Sequence, residues 1–168
     1  MNKMILENLL DAVRKAFSIQ ASTQVQITGV RPGKAETRPR SDIAAIIGIS
    51  GTKMSGSLAL CLPTQTFLSI VNRMLGENYA QITQENSDAA GEMLNIIYGL
   101  ARTQINQNGY DFAPAIPTVV RGDNLSLSSP THGGGLIAEI RCETDLGPFH
   151  LELNLKELTS KDTVSEVK

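Results

Sequence analysis

The segment from about Gln84 to Pro117 constrains this chain more than any other. From Gln84 to Asn108 the apolar residues recur at helical spacing, and Gly109 stops the run. At about 100° per residue, Ala90, Met93, Leu94, Ile97, Leu100, Ala101 and Ile105 share one side. That side is the apolar face of a helix packed on a core. Asp88, Glu92, Asn95, Gly99, Arg102 and Asn106 fall in a narrow polar stripe opposite.

The make-up of the stripe is unusual. A solvated helix face is normally filled with good helix formers such as Lys, Glu and Gln. Asn95, Gly99 and Asn106 are poor ones, and a mid-helix Gly costs about 1 kcal/mol relative to Ala. Gly99 also removes a side chain beside Asn95, which would let another surface approach the backbone. Local rules tend to be broken where something other than stability is served. Taken alone, the helix is equally readable as a polar face with tolerated weak formers.

The spacing around the stripe resembles a known family. Asp88 is followed by Glu92 four positions on, Asn95 three further, and Pro117 twenty-two beyond that. This order is similar to the signature of the CheC/CheX/FliY chemotaxis phosphatases. The flanking Asp-Ala-Ala-Gly-Glu and Pro-Thr-Val-Val segments look like the CheX type, as does the order of elements up to about Lys156. No second Glu-x-x-Asn precedes Glu92, so the one-site CheX type fits better than the two-site CheC type. Glu-x-x-Asn by itself is a weak signal; the full motif is fairly specific.

The resemblance implies a phosphatase acting on the aspartyl phosphate of a response-regulator receiver. Asn95 would orient the attacking water and Glu92 would dock on the receiver's Lys. Asp88 would be a helix-start residue supporting Glu92, and Pro117 would shape the loop beside the helix. Gly99 and Arg102 would lie in the docking surface; this comes from the stripe and is no family rule. The protein would need no cofactor of its own, Mg²⁺ belonging to the receiver. The resemblance also implies a CheC-like fold with an internal pseudo-repeat and a homodimer joined through its sheets. The alternative is a non-catalytic receiver-binding or flagellar-switch adaptor of the same fold.

Bulk properties agree with one soluble globular domain over residues 1–168, its core ending near 156 and a polar tail at 157–168. A net charge of -2 argues against a nucleic-acid partner, which normally demands a basic balance. Glu7 and Asp11 interrupt any apolar signal core, and no apolar run would span a bilayer, so a cytoplasmic protein is expected. Cys61 and Cys142 read as buried free thiols, although sequence leaves a disulfide open. Cys61, His132, Cys142 and His150 lack the short spacings of a zinc site, so no metal is expected. The glycine-rich segments lack the Gly-Lys-Ser/Thr ending of a phosphate-binding loop.

The remaining elements follow from periodicity and turn chemistry. A helix is predicted over Asn2–Ile19, and strands over Val25–Val30, Ile43–Ser50 and Ser55–Leu62. Arg31–Arg40, with two prolines and four basic residues, reads as an exposed loop. Pro63 and Thr64 open a second helix capped by Gly76. Strands are predicted over Thr118–Arg121, Leu136–Cys142 and Phe149–Leu155, with a turn at Asp145–Pro148. The order helix–strands–helix–helix–strands predicts an α/β chain of α+β type, its mainly antiparallel sheet packed by helices.

Overall fold

A computed structural model describes residues 3–32, 38–128 and 135–159. The chain runs α1 (Lys3–Ala21), β1 (Gln26–Pro32), β2 (Ile43–Ser50), β3 (Met54–Leu62), α2 (Thr64–Leu75) and α3 (Gln84–Gln107). It continues through β4 (Thr118–Arg121), β5 (Gly135–Thr144) and β6 (Gly147–Glu157). All pairings are antiparallel, and the sheet order is β1-β5-β6-β3-β2-β4. The expected α+β arrangement is therefore present.

Alternation along the strands sorts the two faces of the sheet. Ile43, Ala45, Ile47, Leu58, Leu60, Leu62, Leu151, Leu153 and Leu155 pack with the buried faces of the three helices into one core. Ala44, Ala59 and Cys61 point the other way, where Leu125 and Leu127 of the segment after β4 pack against them. Cys61 and Cys142 thus lie on opposite faces of the sheet, which rules out a bond between them, and both are free. Burial pushes both thiols up, Cys142 to about 12.

The order of strands contains a hidden symmetry. Each of the two segments α1-β1-β2-β3 and α3-β4-β5-β6 supplies a helix, an edge strand and a hairpin. The hairpins meet at the sheet centre, β3 against β6. The edge strands are exchanged: β1 pairs with β5 of the other segment, and β4 pairs with β2. α1 and α3 pack side by side over the sheet, and α2 has no counterpart. This is the pseudo-repeat that the resemblance implied.

Several boundaries move. Arg31 and Pro32 belong to β1; a proline is tolerated there because β1 is an edge strand. Arg38 donates to the Leu127 carbonyl at 2.6 Å and to Ser126 Oγ at 3.0 Å, so this part of the basic loop is tied down. Arg40 pairs with Asp42 and Asp123. Loop residues 33–37, His132 and the tail from 160 lie outside the described residues. The second hairpin turn is only Asp145–Leu146, so Gly147 and Pro148 pair with Thr144 and Glu143. α2 ends as expected, with Gly76 in the left-handed region (φ 64°) and its N–H bonded to the Asn72 carbonyl.

Among the described residues no helix is long and apolar enough to cross a membrane.

Candidate functional site

α3 begins with a capping box. Thr83 Oγ1 accepts from Asn86 N at 3.3 Å, and Asn86 Oδ1 accepts from Thr83 N at 2.9 Å. Glu85 is the acid of the first turn. Asp88 stands one turn further in, beyond the range where a helix dipole acts strongly, so the helix-start role expected for it falls to Thr83 and Glu85. Asp88 instead faces the same side as Glu92 and Asn95.

All three side chains are exposed. Among the described residues, none makes a side-chain hydrogen bond or ion pair within the chain. They border a shallow cleft of about 280 Å³ between α3 and the entry to β4, whose other wall is Ile116, Pro117 and Val119. Gly91 forms the floor. A Cβ there would sit 3.1 Å from Val119 Cγ2 and 3.7 Å from Pro117 Cβ, so this glycine lets the strand entry come close to the helix. Pro117 is accordingly part of the cleft wall, consistent with a loop-shaping role.

The polar stripe divides in two. Its C-terminal part is occupied by the chain itself. Asn106 clamps Phe112 from both sides, its Oδ1 accepting from Phe112 N at 2.8 Å and its Nδ2 donating to Phe112 O at 3.0 Å. Arg102 Nη1 reaches the same carbonyl at 3.4 Å. Arg102, expected in a docking surface, is thus engaged with the loop after α3. Gly99 lies between the two parts, and a Cβ there would meet nothing within 4 Å.

The loop from Asn108 to Pro117 is irregular yet firmly held. Tyr98 Oη donates to Ala113 O at 2.7 Å, and Ala113 N donates to Ser50 O at 2.8 Å. Thr52 N donates to Asp111 Oδ1 at 2.9 Å, while Lys53 Nζ reaches Gly109 O at 2.8 Å and lies over the Tyr110 ring. Hydrogen bonds from the Thr52 side chain and N–H hold the Asp111 carboxyl below its ordinary value. One end of the cleft is therefore built on α3 and the other on a loop stapled to α3 and the β2–β3 turn.

Sequence reasoning missed three contributors. Gly91 stood inside the motif with no sign of its packing role. Asn106 looked like a tolerated weak helix former. Ile116 is 91% exposed, the most exposed of the large hydrophobic side chains described, and nothing in a proline-flanked Ala-Ile pair announces that.

A second cluster lies on the sheet face away from the helices. Cys61 is paired across strands with His150, and Glu152 follows on the same face. Their potential ligand atoms lie within 4.8 Å of one another. The short spacings of zinc motifs are absent because strand pairing, not sequence proximity, brings them together. His150 Nε2 is 3.5 Å from Glu152 Oε1, while its Nδ1 is buried without a hydrogen-bond partner among the described residues. Arg141, opposite His150 on β5 and bonded to Glu139 at 2.6 Å, already supplies a cation to this face.

A carboxylate and a carboxamide one turn apart, unpaired and facing outward, can bind and orient but offer no nucleophile of their own. Fold and site together define a two-segment antiparallel α/β domain that presents a carboxylate–carboxamide pair at an open surface cleft. The family model described as chemotaxis phosphatase CheX matches residues 43–141, more than half of the chain and the whole span from Asp88 to Pro117. The chain belongs to the CheX family.

Individual relatives agree. The chain is similar to the CheY-P phosphatase CheX of Thermotoga maritima, 30% identical over 110 residues, 61% of this chain and 70% of that protein. A CheC-like superfamily protein from Shewanella sp. PV-4 has the same fold with a TM-score of 0.83 at 25% identity, covering 93% of this chain and 99% of the other. The CheX of a CheX–CheY–BeF3–Mg²⁺ complex from Borrelia burgdorferi shares the fold at TM-score 0.65 and 20% identity, covering 92% and 98%.

Proposed function

We propose that this protein hydrolyses the aspartyl phosphate of a response-regulator receiver domain, with Asn95 and Glu92 entering the receiver's site. The observation that carries the reading is the pair itself: two polar side chains, one helical turn apart, exposed at an open cleft and without hydrogen-bond or ion-pair partners among the described residues. Family membership supports the phosphatase activity. The Borrelia CheX in complex with CheY supports a receiver as the partner.

The chemistry suits a protein without a nucleophile. An acyl phosphate is labile, and the receiver brings Mg²⁺ and a Lys that neutralise charge on the transferring group. Asn95, with one acceptor and two donors, would hold a water in line with the phosphorus. Water oxygen bonds to phosphorus as the bond to the aspartyl oxygen breaks, releasing inorganic phosphate and restoring the receiver carboxylate. Glu92 would accept a salt bridge from the receiver Lys and so set the register of docking. Positioning one water accounts for on the order of 10²–10³ in rate.

Timing phosphate loss from a phosphorylated receiver tests this. Asn95→Ala should remove the acceleration while binding persists, and Glu92→Lys should weaken binding. An Asn95→Ala protein that works at the native rate would sink the mechanism. Stable binding by the native protein with no acceleration would point to the adaptor alternative. The same reading carries a cytoplasmic homodimer; light scattering should give twice the 18.1 kDa chain mass, and a monomer would remove that part.

A further inference from the structure

We propose that Ile116 is the apolar anchor that sets affinity for the receiver, seating against an apolar surface beside the phosphorylated aspartate. This rests on the receiver reading above and adds a residue that the motif does not contain. Exposure of one isoleucine means little by itself, since soluble proteins expose many apolar atoms. Three observations together give it meaning.

The first is position. Ile116 lines the same cleft as Glu92 and Asn95, on the opposite wall, so a domain that receives that pair must also meet Ile116. The second is rigidity. Pro117 follows it, Pro114 precedes it by two residues, and the loop is fastened at Phe112 and Ala113 by Asn106, Tyr98 and Ser50. A side chain presented on a fixed backbone loses little freedom on binding, which favours affinity. The third is division of labour. Glu92 and Asn95 enter a polar, acidic pocket, where exchanging water for partner gains little net affinity. Interfaces are usually anchored by a buried apolar or aromatic side chain, and Ile116, 91% exposed, is the most open apolar side chain lining this cleft.

Burying an isoleucine side chain on docking corresponds to about 10–100-fold in affinity. The test uses the intact protein with a CheY-type receiver, phosphorylated for kinetics and loaded with BeF3 and Mg²⁺ for calorimetric binding. Ile116→Ser should raise both KM and the dissociation constant by about 10–100-fold. Its kcat at saturation should stay within about twofold of native, and its melting temperature should change little, because the side chain is almost wholly exposed. Ile116→Val should keep most of the affinity.

Native KM and dissociation constant in Ile116→Ser would overturn the proposal, as would a lowered kcat at unchanged KM. Loss of self-association with receiver affinity intact would assign the residue to a second copy of the chain and overturn it too. Asn95→Ala measured in parallel separates the two levels. Native turnover there removes the phosphatase reading, whereas the calorimetric comparison of Ile116→Ser with native protein still decides the anchor.

Discussion

α1 and α3 occupy equivalent places in the two halves of the sheet, yet their outer faces are used in opposite ways. On α1 four of the five exposed charges pair with each other: Lys3 lies 3.6 Å from Glu7, and Arg14 lies 3.4 Å from Asp11, which leaves Lys15. These are ordinary i,i+4 and i,i+3 pairs of a solvated helix. On α3 the exposed Asp88, Glu92 and Asn95 have no such partners among the described residues, and the strand entry beside them is drawn close by Gly91. Among the described residues, this scaffold gathers an unpaired acid–acid–amide set beside a cleft on α3 and pairs most of the charges on α1. The contrast also appears within α3, where Arg102 and Asn106 are bound to the loop while Glu92 and Asn95 are not.

The contrast can be broken most sharply at Asn95. Asn95→Ala should lower phosphatase turnover on the order of 10²–10³-fold. It should also raise stability slightly, by up to about 0.7 kcal/mol, because alanine is the better helix former at an exposed, unpaired position. Receiver turnover and a urea melt on the same protein check both halves. A stability loss there would mean that Asn95 has a structural partner after all.

Asp42 is the converse case, an acid with partners on every side. It accepts from Thr64 N and Oγ1 at 2.8 Å each and from Asn124 N at 3.0 Å, and it pairs with Arg40 at 3.0 Å. Burial pushes its carboxyl up, but the hydrogen bonds from Asn124, Thr64 and Arg40 outweigh that and hold it at about 2. The folded pKa is depressed below the ordinary value of 3.8, so its stabilisation is complete above about pH 4–5. It is lost as pH falls towards 2. Asp42→Ala should cost about 2–4 kcal/mol at neutral pH and flatten that acid limb, with kcat at saturation unchanged.

Asn106→Ala should fall between these extremes. Removing the clamp leaves Phe112 N without its side-chain acceptor and Phe112 O with only the longer Arg102 bond at 3.4 Å, at a cost of about 1–3 kcal/mol. It should also raise KM for the receiver, because the loop carrying Ile116 loosens, a result that kinetics at several receiver concentrations would reveal. The smallest effect belongs to α1. Glu7→Ala should change stability by about 0.5 kcal/mol or less and leave phosphatase rates untouched. If α1 substitutions lowered the rate, the two helices would not be as different as their surfaces suggest.

Much of the scaffold was legible because it is local. β2, β4 and the end of α2 at Gly76 follow from alternation and a left-handed cap, and they lie where the pattern predicts. The second hairpin was drawn too short because Gly147 and Pro148 look like turn residues. Their place in the ladder is decided by register with β5, which no local pattern encodes. The motif residues on α3 were legible from helical spacing plus a family resemblance. What remained hidden was relational. Asn106 has its meaning only once Phe112 folds back, Gly91 only once Val119 arrives, and Ile116 only once the loop is fastened. The Cys61–His150 neighbourhood was invisible for the same reason, since strand pairing creates it.

The exchange of outer strands has a practical outcome. A chain cut in the connection between α2 and α3 would give two pieces, each holding a strand whose sole neighbour is on the other piece. Neither fragment could complete a sheet alone, and each would carry the template for its mate. The scaffold is in effect already a split reporter, whose reconstitution would restore the Glu92–Asn95 surface on one fragment only when the other is present.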